Sequence, residues 1–563
     1  MSSIQLWLKP EIVLHGVVCA HPKLNFSYLK KVLAYAKSKS DDGGYPYLSW
    51  PIWKHMAVNK MLLSEELAWA YFNLFYTLTD KDRSHWLQLS EYQQSCFENG
   101  RPETYKNKMK VSTLQFLVFL YIQQACKLTK RKSMLGEDWP GKSPRSRTKQ
   151  DRDSKLSNDR QYLDFVLSYV GQLLDILSES KINSENSKLT TEVIKALSPF
   201  ILGRIIGQSN VLKLHEIAKK DLCKADNGYC IETNTFLKSE FLSWLVKNLV
   251  HNPCDVQSCI EKGHKLKWVQ PDLSNSKNNK HKICYNPSLG FGCSKTVAFH
   301  NVQENTVAQQ CSILRRSNVM FDNCHKSFFY ILSPLKCVSI ECCTDTTFVF
   351  GPVGTSIKIL DCKNITIIAP CRLCIVCDSV NVTLHLSTPN QPVVVQDNLA
   401  EKMKSTITLG PYNTFYSNLG SHLVEVGLSI SPDTNQWNNA AVVGVDSKNI
   451  RKTEGASEES VEKNFKIMPV EDFYFFSIPF KSKKCDNEDM IETTEIPWKL
   501  PTIYEKEVKR KQTAITKWKK AFKELKLSKD QRKMFQEMIE SKFDEWVSKT
   551  GNKKHLDALR VKH

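Results

Sequence analysis

A repeat of about 18 residues between positions 329 and 398 constrains the fold of this chain more than any other feature. Two series mark the period: Pro334, Pro352 and Pro370, and Val338, Ile357, Ile375 and Val393. Between them lie short runs in which apolar and polar residues alternate, as in half-buried strands. No segment of helical length separates the runs, which excludes ordinary strand–helix–strand crossovers. Because stacked repeats bury apolar side chains that one repeat cannot, the sequence predicts a short parallel β-helix with three faces of about six residues per coil.

The turns and coils of this repeat also resemble a known family. The stretches concerned are SPLKCVSIE at 333–341, FGPVGTSIKILDCKN at 350–364, IIAPCRL at 367–373 and LGPYNTFYSNLGSHL at 409–423. They are similar to the domain of tubulin-folding cofactor C, which the retinitis pigmentosa 2 protein and the cyclase-associated proteins share. The resemblance implies a right-handed parallel β-helix of this C-CAP/cofactor C-like type over residues 286–430.

Blocks at 45–57, 112–124 and 527–546 extend the resemblance over most of the chain, and 563 residues are too many for one domain. The sequence therefore predicts a multidomain α+β protein. Outside the β-helix we expect a helical N-terminal region at 1–129, a basic flexible linker at 130–160, a helical region at 161–273, a strand segment at 464–480 and a C-terminal basic helical hairpin at 500–550. Segments 65–78 and 112–128 are apolar on most sides, so both should be buried.

The C-terminal hairpin has the clearest helical pattern. Ser528 and Gln531 fit the spacing of a capping box, in which each side chain accepts from the other residue's unpaired backbone N–H. One apolar stripe follows on the second helix: Met534, Phe535, Met538, Ile539, Phe543, Trp546 and Val547. Two interpretations of the stripe stay open, packing within the chain and a coiled-coil-like docking site for a partner.

A segment rich in turn formers and aromatic residues, at 410–416, is predicted to close the end of the solenoid. The edge strands at the ends of stacked coils pair with other molecules unless they are covered, so a structural cap explains the segment. The alternative is a partner-binding surface formed by Tyr412, Phe415 and Tyr416 together with Arg372.

The family resemblance indicates where catalytic chemistry would lie. Cofactor C and the retinitis pigmentosa 2 protein stimulate GTP hydrolysis by tubulin and by an Arl-type GTPase, respectively. The resemblance implies an arginine finger on one coil, in a Gln-x-Arg context; such a guanidinium is worth about 10³–10⁵ in rate. Here the family arginine position is Cys374, and Arg372 lies two residues earlier, about 6.6 Å away along the same strand face. A thiol cannot supply the charge, so we expect no GTPase activation, with Arg372 as the alternative finger.

Cys371, Cys374 and Cys377 superficially resemble the spacing of a zinc motif. In a strand, Cys371 and Cys377 would share one side and Cys374 would face the other, so the three thiols would not converge. Buried cysteines behave as small hydrophobes, and more of them follow in neighbouring coils: Cys337, Cys342, Cys343 and Cys362. No P-loop, dinucleotide fingerprint or nucleophile–base motif occurs in the sequence. The sequence therefore predicts no metal, no cofactor and no enzyme.

Charge and cysteine content bear on partners and compartment. The net charge is +19, and the tail at 501–563 alone has 18 basic and 9 acidic residues. Such tails suit acidic partners, including tubulin's surface, anionic membranes and RNA, although a charge confined to one tail and one linker does not favour nucleic acid. The longest apolar run has nine positions, against about 20 in a transmembrane helix. Nineteen cysteines without a signal-peptide pattern predict reduced thiols in the cytoplasm.

The resemblance implies a function that composition does not show. It implies a non-enzymatic scaffold or adaptor of the cytoskeleton, located at the microtubule organising centre, namely centrosomes, spindle poles and basal bodies. The scaffold would position the centrosome and the Golgi apparatus, with effects on cell shape, migration and cilium organisation. Its expected partners are centrosomal or basal-body proteins, with tubulin as a further candidate. The alternative is a GTPase-activating or tubulin-folding factor that acts on tubulin or an Arl-type GTPase.

Overall fold

The computed structural model describes residues 4–126, 158–178, 187–253, 255–266, 282–286, 294–309, 312–395, 406–444, 465–476, 478, 499–524 and 528–550. They form a helical body, a β-solenoid and a C-terminal helical hairpin. The predicted linker at 130–160 lies outside the described residues up to position 157, and a helix begins at Asn158.

The body contains the first helices of the chain and several short strands. Before residue 127 its elements are β1 (Ile4–Leu8), α1 (Pro10–Gly16), α2 (Phe26–Ser38), β2 (Tyr47–Ser49), α3 (Trp50–Lys54), a π-helical turn (His55–Lys60), α4 (Glu65–Leu78), α5 (Arg83–Glu98), a 3₁₀ helix (Pro102–Lys108), β3 (Lys110–Ser112) and α6 (Thr113–Ile122). From residue 158 they are α7 (Asn158–Ser178), β4 (Lys188–Thr190), α8 (Thr191–Leu197), β5 (Ile201–Ile205), β6 (Leu212–Lys213), α9 (Leu214–Ala218), α10 (Asp221–Lys224), β7 (Tyr229–Cys230), β8 (Thr235–Leu237), α11 (Lys238–Asn248) and α12 (Val256–Lys262).

One hydrophobic core joins the two helical regions that the sequence separates at 130–160. β1 pairs antiparallel with β5, which lies in the second region. Helices α4 and α6 lie at the centre, and nearly all of their side chains are buried, which confirms the expectation for these apolar segments. The ring of Phe116 in α6 contacts Trp53 and Phe75, at centroid distances of 5.0 and 5.5 Å. The two regions therefore form one folded unit.

The solenoid consists of two long sheets, and after the first three strands, which lie in one sheet, its strands alternate between the two. Its strands are β9 (His264–Lys265), β10 (Lys282–Asn286), β11 (Thr296–His300), β12 (Thr306–Gln309), β13 (Asn318–Asp322), β14 (Phe328–Ile331), β15 (Leu335–Glu341), β16 (Thr347–Phe350), β17 (Val353–Leu360), β18 (Lys363–Pro370), β19 (Cys374–Cys377), β20 (Val380–Ser387), β21 (Val393–Val395), β22 (Ile407–Pro411), β23 (Ala441–Val443) and β24 (Phe465–Ile467). The body-facing sheet has the order β23-β21-β19-β17-β15-β13-β11-β10-β9, and the opposite sheet has the order β12-β14-β16-β18-β20-β22-β24. Pairing is parallel throughout the opposite sheet and from β11 to β23, which confirms the predicted parallel β-helix.

The coils differ from the predicted repeat in two respects. The third face is reduced to isolated bridges, such as those that link His325 to Thr344 and Thr344 to Lys363. The register also differs, because Ile357 of β17 pairs with Cys374 rather than with the next residue, Ile375. The coil at this point is one residue shorter than the spacing in the sequence indicates, so Cys374 occupies the position that points inward.

Pairs of residues with positive φ turn each coil between the two sheets, which is why the third face is so short. In successive coils these pairs are Asn301 and Glu304, Asn323 and Lys326, Cys342 and Asp345, Asp361 and Asn364, and Asp378 and Asn381. Asn and Asp are the non-glycine residues that adopt this conformation most readily. Their side chains also connect the coils, because Asn364 Nδ2 donates to Asp345 Oδ1 and Asn381 Nδ2 donates to Asn364 Oδ1, both at 2.9 Å.

Cysteines line the interior beside these turns. Cys324, Cys343 and Cys362 are buried in three successive coils, and burial raises the pKa of the Cys343 thiol well above its ordinary value. The prediction of interior cysteines is thus confirmed for Cys343 and Cys362. It is wrong for Cys342, which is exposed at a turn, and for Cys337, which is buried outside the interior, near Glu11 of the body.

The solenoid continues past the predicted boundary at residue 430, since β23 and β24 add parallel strands to the two sheets. Aromatic side chains close this end: the Tyr504 ring lies 5.1 Å from Phe473 and 5.9 Å from Trp437, and its hydroxyl donates to the Met468 carbonyl (2.6 Å). The segment at 464–480 is not the continuous strand that its aromatic content predicts. After β24 it forms a 3₁₀ turn at Val470–Asp472, because Pro469 lacks a backbone donor and interrupts the strand.

The C-terminal helices form the predicted hairpin. They are α14 (Thr502–Glu524) and α15 (Lys529–Thr550), and the ring of Phe535 lies 4.9 Å from Phe522. The predicted capping box is confirmed: the Ser528 backbone N–H donates to Gln531 Oε1 (3.0 Å), and the Gln531 N–H donates to Ser528 Oγ (3.2 Å). Within the described parts of the chain, no helix is both long and apolar enough to cross a membrane.

Candidate functional site

The corner between β18 and β19 decides where the candidate finger residues point. Cys371 forms an isolated bridge with Val353, and β19 begins at Cys374. Cys371 and Cys374 both point into the solenoid interior, whereas Cys377 packs against the core of the body. The predicted alternation, with Cys371 and Cys377 on one side, is therefore wrong, because the turn at the corner shifts the pattern by one residue. Nowhere in the described segments do three or more His, Cys, Asp or Glu side chains form a group that could hold a metal ion.

Arg372 leaves the solenoid at this corner and is only 2% exposed. Its Nε donates to the Gly354 carbonyl (2.7 Å), and its Nη2 donates to the carbonyls of Val426 and Gly427 (3.0 Å each). The guanidinium carbon lies 3.9 Å from the centroid of the Trp86 ring, which is a cation–π distance. Arg372 thus ties together β17, the turn that follows the helix α13 (Leu419–Glu425) and helix α5 of the body.

The surroundings of Arg372 are positively charged and shielded from water. Burial lowers the pKa of Arg372 to about 9, because desolvation disfavours the charged form. Lys81 lies on the same indole, 5.6 Å from the Trp86 centroid. Burial lowers the pKa of this amine to about 7; Asp80 opposes the shift and Arg372 adds to it.

Gly427 makes this arrangement possible. Its φ is +67°, in the left-handed region that favours glycine. A Cβ at this position would lie 3.3 Å from the Arg83 carbonyl oxygen at the start of α5. A larger residue would therefore push away the turn that supplies two of the three acceptors of Arg372.

The aromatic segment at 410–416 covers the side of the solenoid and not its end. Tyr412 is buried in a cluster with Val349 and Ile368 on the outer face of the opposite sheet. Phe415 and Tyr416 are half-buried against the same cluster. The segment therefore shields the apolar outer face of this sheet from water. The end of the solenoid is covered instead by Trp437, Phe473 and Tyr504.

The predicted partner surface of Arg372, Tyr412, Phe415 and Tyr416 is therefore corrected. Arg372 and Tyr412 are buried, so neither can contribute to a surface. Tyr416 is engaged within the chain, where its hydroxyl lies 3.0 Å from His422 Nδ1.

A second polar cluster lies where α1 of the body meets the body-facing sheet. Lys336 Nζ donates to Glu11 Oε1 (2.7 Å) and to Ser294 Oγ (2.8 Å), and Asn318 Nδ2 also donates to Glu11 Oε1 (3.2 Å). Burial alone would raise the pKa of Glu11. The charges of Lys336 and Lys9 outweigh burial and hold that pKa well below its ordinary value. Glu11 is thus a buried carboxylate paired across the two parts of the protein.

The C-terminal end of α1 is bound by the neighbouring strand β17. Lys358 Nζ donates to the carbonyls of Leu14 and Val17, the latter at 3.0 Å, and these carbonyls lie where a helix leaves its last acceptors unpaired. Ser356 Oγ lies 2.8 Å from His15 Nδ1. Burial lowers the pKa of His15 to about 3, and Lys358 adds to this effect. His15 is therefore neutral at physiological pH.

Arg372 and Cys374 stand out in the sequence, but the residues that hold the body on the solenoid do not. These are Trp86, Glu11, Lys336 and Lys358. Both lysines occupy outward positions of strands, a pattern typical of solvent-exposed residues. The signal that could have revealed them is the number of polar residues on β15 and β17, beside an N-terminal helix that carries an acid and a histidine.

Comparison with known proteins agrees with the fold. The family described as "Tubulin binding cofactor C" matches residues 316–442. The chain is 34% identical to TBCC domain-containing protein 1 of Rattus norvegicus, over 99% of this chain and 95% of the relative. It is 34% identical to the Homo sapiens protein of the same name, over 99% and 97%. The Danio rerio protein is 31% identical, over 98% and 93%.

Proposed function

Because the chain belongs to the family of TBCC domain-containing protein 1, we propose that it is a non-enzymatic scaffold that positions the centrosome and the Golgi apparatus. The proposed location is the microtubule organising centre, including spindle poles and basal bodies. Its proposed partners are centrosomal or basal-body proteins, with tubulin as a further candidate. Effects on cell shape, migration and cilium organisation would follow from the position of the centrosome.

The observation that carries the proposal is that Arg372 and Cys374 are both buried in the folded protein. An arginine finger must reach the γ-phosphate of a GTPase partner. The position to which the resemblance assigns the family arginine is Cys374, a buried thiol, and Arg372 is bound by three carbonyls and the Trp86 ring. This geometry supports a structural joint between body and solenoid in place of a catalytic residue.

The cellular role is tested by depletion and rescue. Removal of the protein is expected to displace the centrosome from its normal position and to disperse the Golgi apparatus, as measured by imaging of both organelles. Re-expression of the full chain should restore both, and a chain without residues 501–563 tests whether the tail directs the protein to the centrosome. Unchanged organelle positions after complete depletion would contradict the proposal.

The absence of GTPase activation is a separate expectation. In a single-turnover assay, the purified chain should leave the GTP hydrolysis rates of tubulin and of an Arl-type GTPase within about twofold of their values alone, against the ~10³–10⁵ of an arginine finger. Tubulin-folding cofactor C serves as the positive control. Acceleration by the wild-type chain that Arg372→Lys abolishes would show that Arg372 is a finger after all.

A further inference from the structure

Three basic side chains surround two aromatic rings where α5 of the body meets the solenoid. The guanidinium carbon of Arg372 lies 3.9 Å from the centroid of Trp86. The Lys81 amine lies 5.6 Å from the same centroid and 3.8 Å from that of Tyr76. His85 Nε2 lies 2.7 Å from the Tyr76 hydroxyl, and the His85 ring meets Trp86 edge to face at 5.6 Å. We call Lys81, His85 and Arg372 the basic cluster.

The hydrogen bonds of the basic cluster go mainly to neutral acceptors. In the described part of the chain, no carboxylate forms an ion pair with Lys81 or Arg372. The Lys81 amine donates instead to the Tyr76 carbonyl (2.6 Å) and to a threonine hydroxyl. The adjacent Asp80 is paired with Lys9, with 2.7 Å between Oδ2 and Nζ. Positive charges in one cluster that is shielded from water therefore repel one another.

The neighbouring elements do not neutralise the basic cluster. Arg83, at the start of α5, is exposed and adds a positive charge. At the end of α13, Glu425 is paired with the exposed Arg315. Burial lowers the pKa of His422 in the same helix, which favours its neutral form. Protons added to the basic cluster are therefore poorly compensated from the solenoid side.

Both titratable members of the basic cluster lose protons more readily than usual. Burial lowers the pKa of Lys81 from 10.5 to about 7; Asp80 opposes the shift and Arg372 adds to it. Burial also lowers the pKa of His85 below its ordinary value of 6.5, with Lys81 adding to the shift and Asp82 opposing it. If α5 separates from the solenoid, water reaches these groups and their pKa values rise again. Acid therefore favours the separated form, between pH 10.5 and 7 for Lys81 and below pH 6.5 for His85.

We propose that the basic cluster is a pH-sensitive switch between the body and the solenoid. With Lys81 and His85 neutral, α5 is held against the turn after α13, whose carbonyls Arg372 binds. As each of the two groups takes up a proton from solvent, the new charge repels Arg372 and α5 separates from the turn. The switch does not depend on the proposed centrosomal role, because it is measured on the purified protein.

Hydrogen exchange of the full chain at pH 8.5 and pH 6.5, followed by mass spectrometry, tests the switch. After correction for the intrinsic pH dependence of amide exchange, the protection factors of α5 should fall at least about tenfold between the two pH values. This factor follows from a Lys81 pKa of about 7 in the joined form and 10.5 in the separated form. The protection of α6, at the centre of the body, should stay within about twofold.

Two substitutions of the amine identify its contribution. Lys81→Met and Lys81→Gln should each reduce the change in α5 protection to about threefold or less, because neither side chain takes up a proton and only His85 still titrates. Gln keeps a donor for the Tyr76 carbonyl, so the test does not depend on the folding of one variant. The matched control Lys60→Met, at an exposed lysine of the body, should keep the wild-type change.

Three outcomes would overturn the proposal. The first is a change in wild-type α5 protection of less than about threefold, which is no more than His85 alone supplies. The second is a wild-type response in a folded Lys81 variant. The third is an equal fall in the protection of α6, which would show a general loss of stability in place of a local switch.

Discussion

Arg372→Ala should lower the free energy of unfolding by about 3–5 kcal/mol, because it removes a buried group that holds three parts of the fold together. The Gly354, Val426 and Gly427 carbonyls lose their donors, and each buried acceptor left unpaired costs about 1–3 kcal/mol. The Trp86 ring loses a cation–π contact worth about 2 kcal/mol when desolvated. These costs are not additive, because neighbouring groups relax into the vacated space. Urea denaturation at pH 7 measures the effect.

Arg315→Ala is the matched control, which tests whether the loss of stability is specific to the buried Arg372. Arg315 lies near the same turn, where its guanidinium pairs with Glu425, but its side chain is 59% exposed. An exposed ion pair contributes about 0–1 kcal/mol, so Arg315→Ala should change stability by no more than that. Hydrogen exchange gives a second measurement, since Arg372→Ala should weaken the protection of α5. Equal stability of the two variants would show that Arg372 is not a structural joint.

The repeat could be predicted from the sequence because each coil of a solenoid packs only against its neighbours. A coil that buries one apolar side per turn must repeat, and Pro334, Pro352 and Pro370 display the period directly in the sequence. The turn pairs such as Asp361 and Asn364 were also present in the sequence as Asn and Asp three positions apart. These pairs did not predict the turns of the coils, because single Asn and Asp residues are common in loops of every kind.

The orientation of side chains at the corner between β18 and β19 was not predictable in the same way. Strand alternation holds only while the chain stays extended, and the turn at Arg372 and Leu373 changes the phase before β19. Cys371 and Cys374 thus share the interior although they are an odd number of positions apart. A sequence pattern cannot reveal such a phase change without the turn geometry.

The joint between body and solenoid was beyond sequence reasoning, because it depends on contacts between distant parts of the chain. Lys336 has the local pattern of an outward strand residue in water, and its side chain, which is still 30% exposed, gains the Glu11 carboxylate as a partner only because α1 lies above it. Trp86 is likewise an ordinary member of an amphipathic helix until Arg372 reaches it. Both residues acquire their role from domain docking.

Lys336→Met should lower the free energy of unfolding by about 3–5 kcal/mol, because it leaves the buried Glu11 carboxylate without its main partner. Glu11→Gln removes the charge and keeps a polar group of similar size beside Asn318 Nδ2. The double variant Glu11→Gln, Lys336→Met should therefore cost less than the sum of the two single changes. Urea denaturation of the four proteins yields this coupling energy, and a coupling near zero would show that the pair does not hold the body on the solenoid.

The same pair should make the joint sensitive to acid. The pKa of Glu11 in the folded protein is held below its ordinary value of 4.5, so the stability that it contributes is present above pH 4.5 and is lost as the pH falls below that value. His15, whose pKa is lowered from 6.5 to about 3, adds a loss of the same sign between those two pH values. Above about pH 3 the difference between wild type and Glu11→Gln reports mainly on Glu11, because both proteins retain His15 and loss of the Glu11 charge would only lower the His15 pKa further. Wild type should therefore lose more stability than Glu11→Gln between pH 5 and about pH 3, and parallel losses would mean that Glu11 gains nothing from its charged partners.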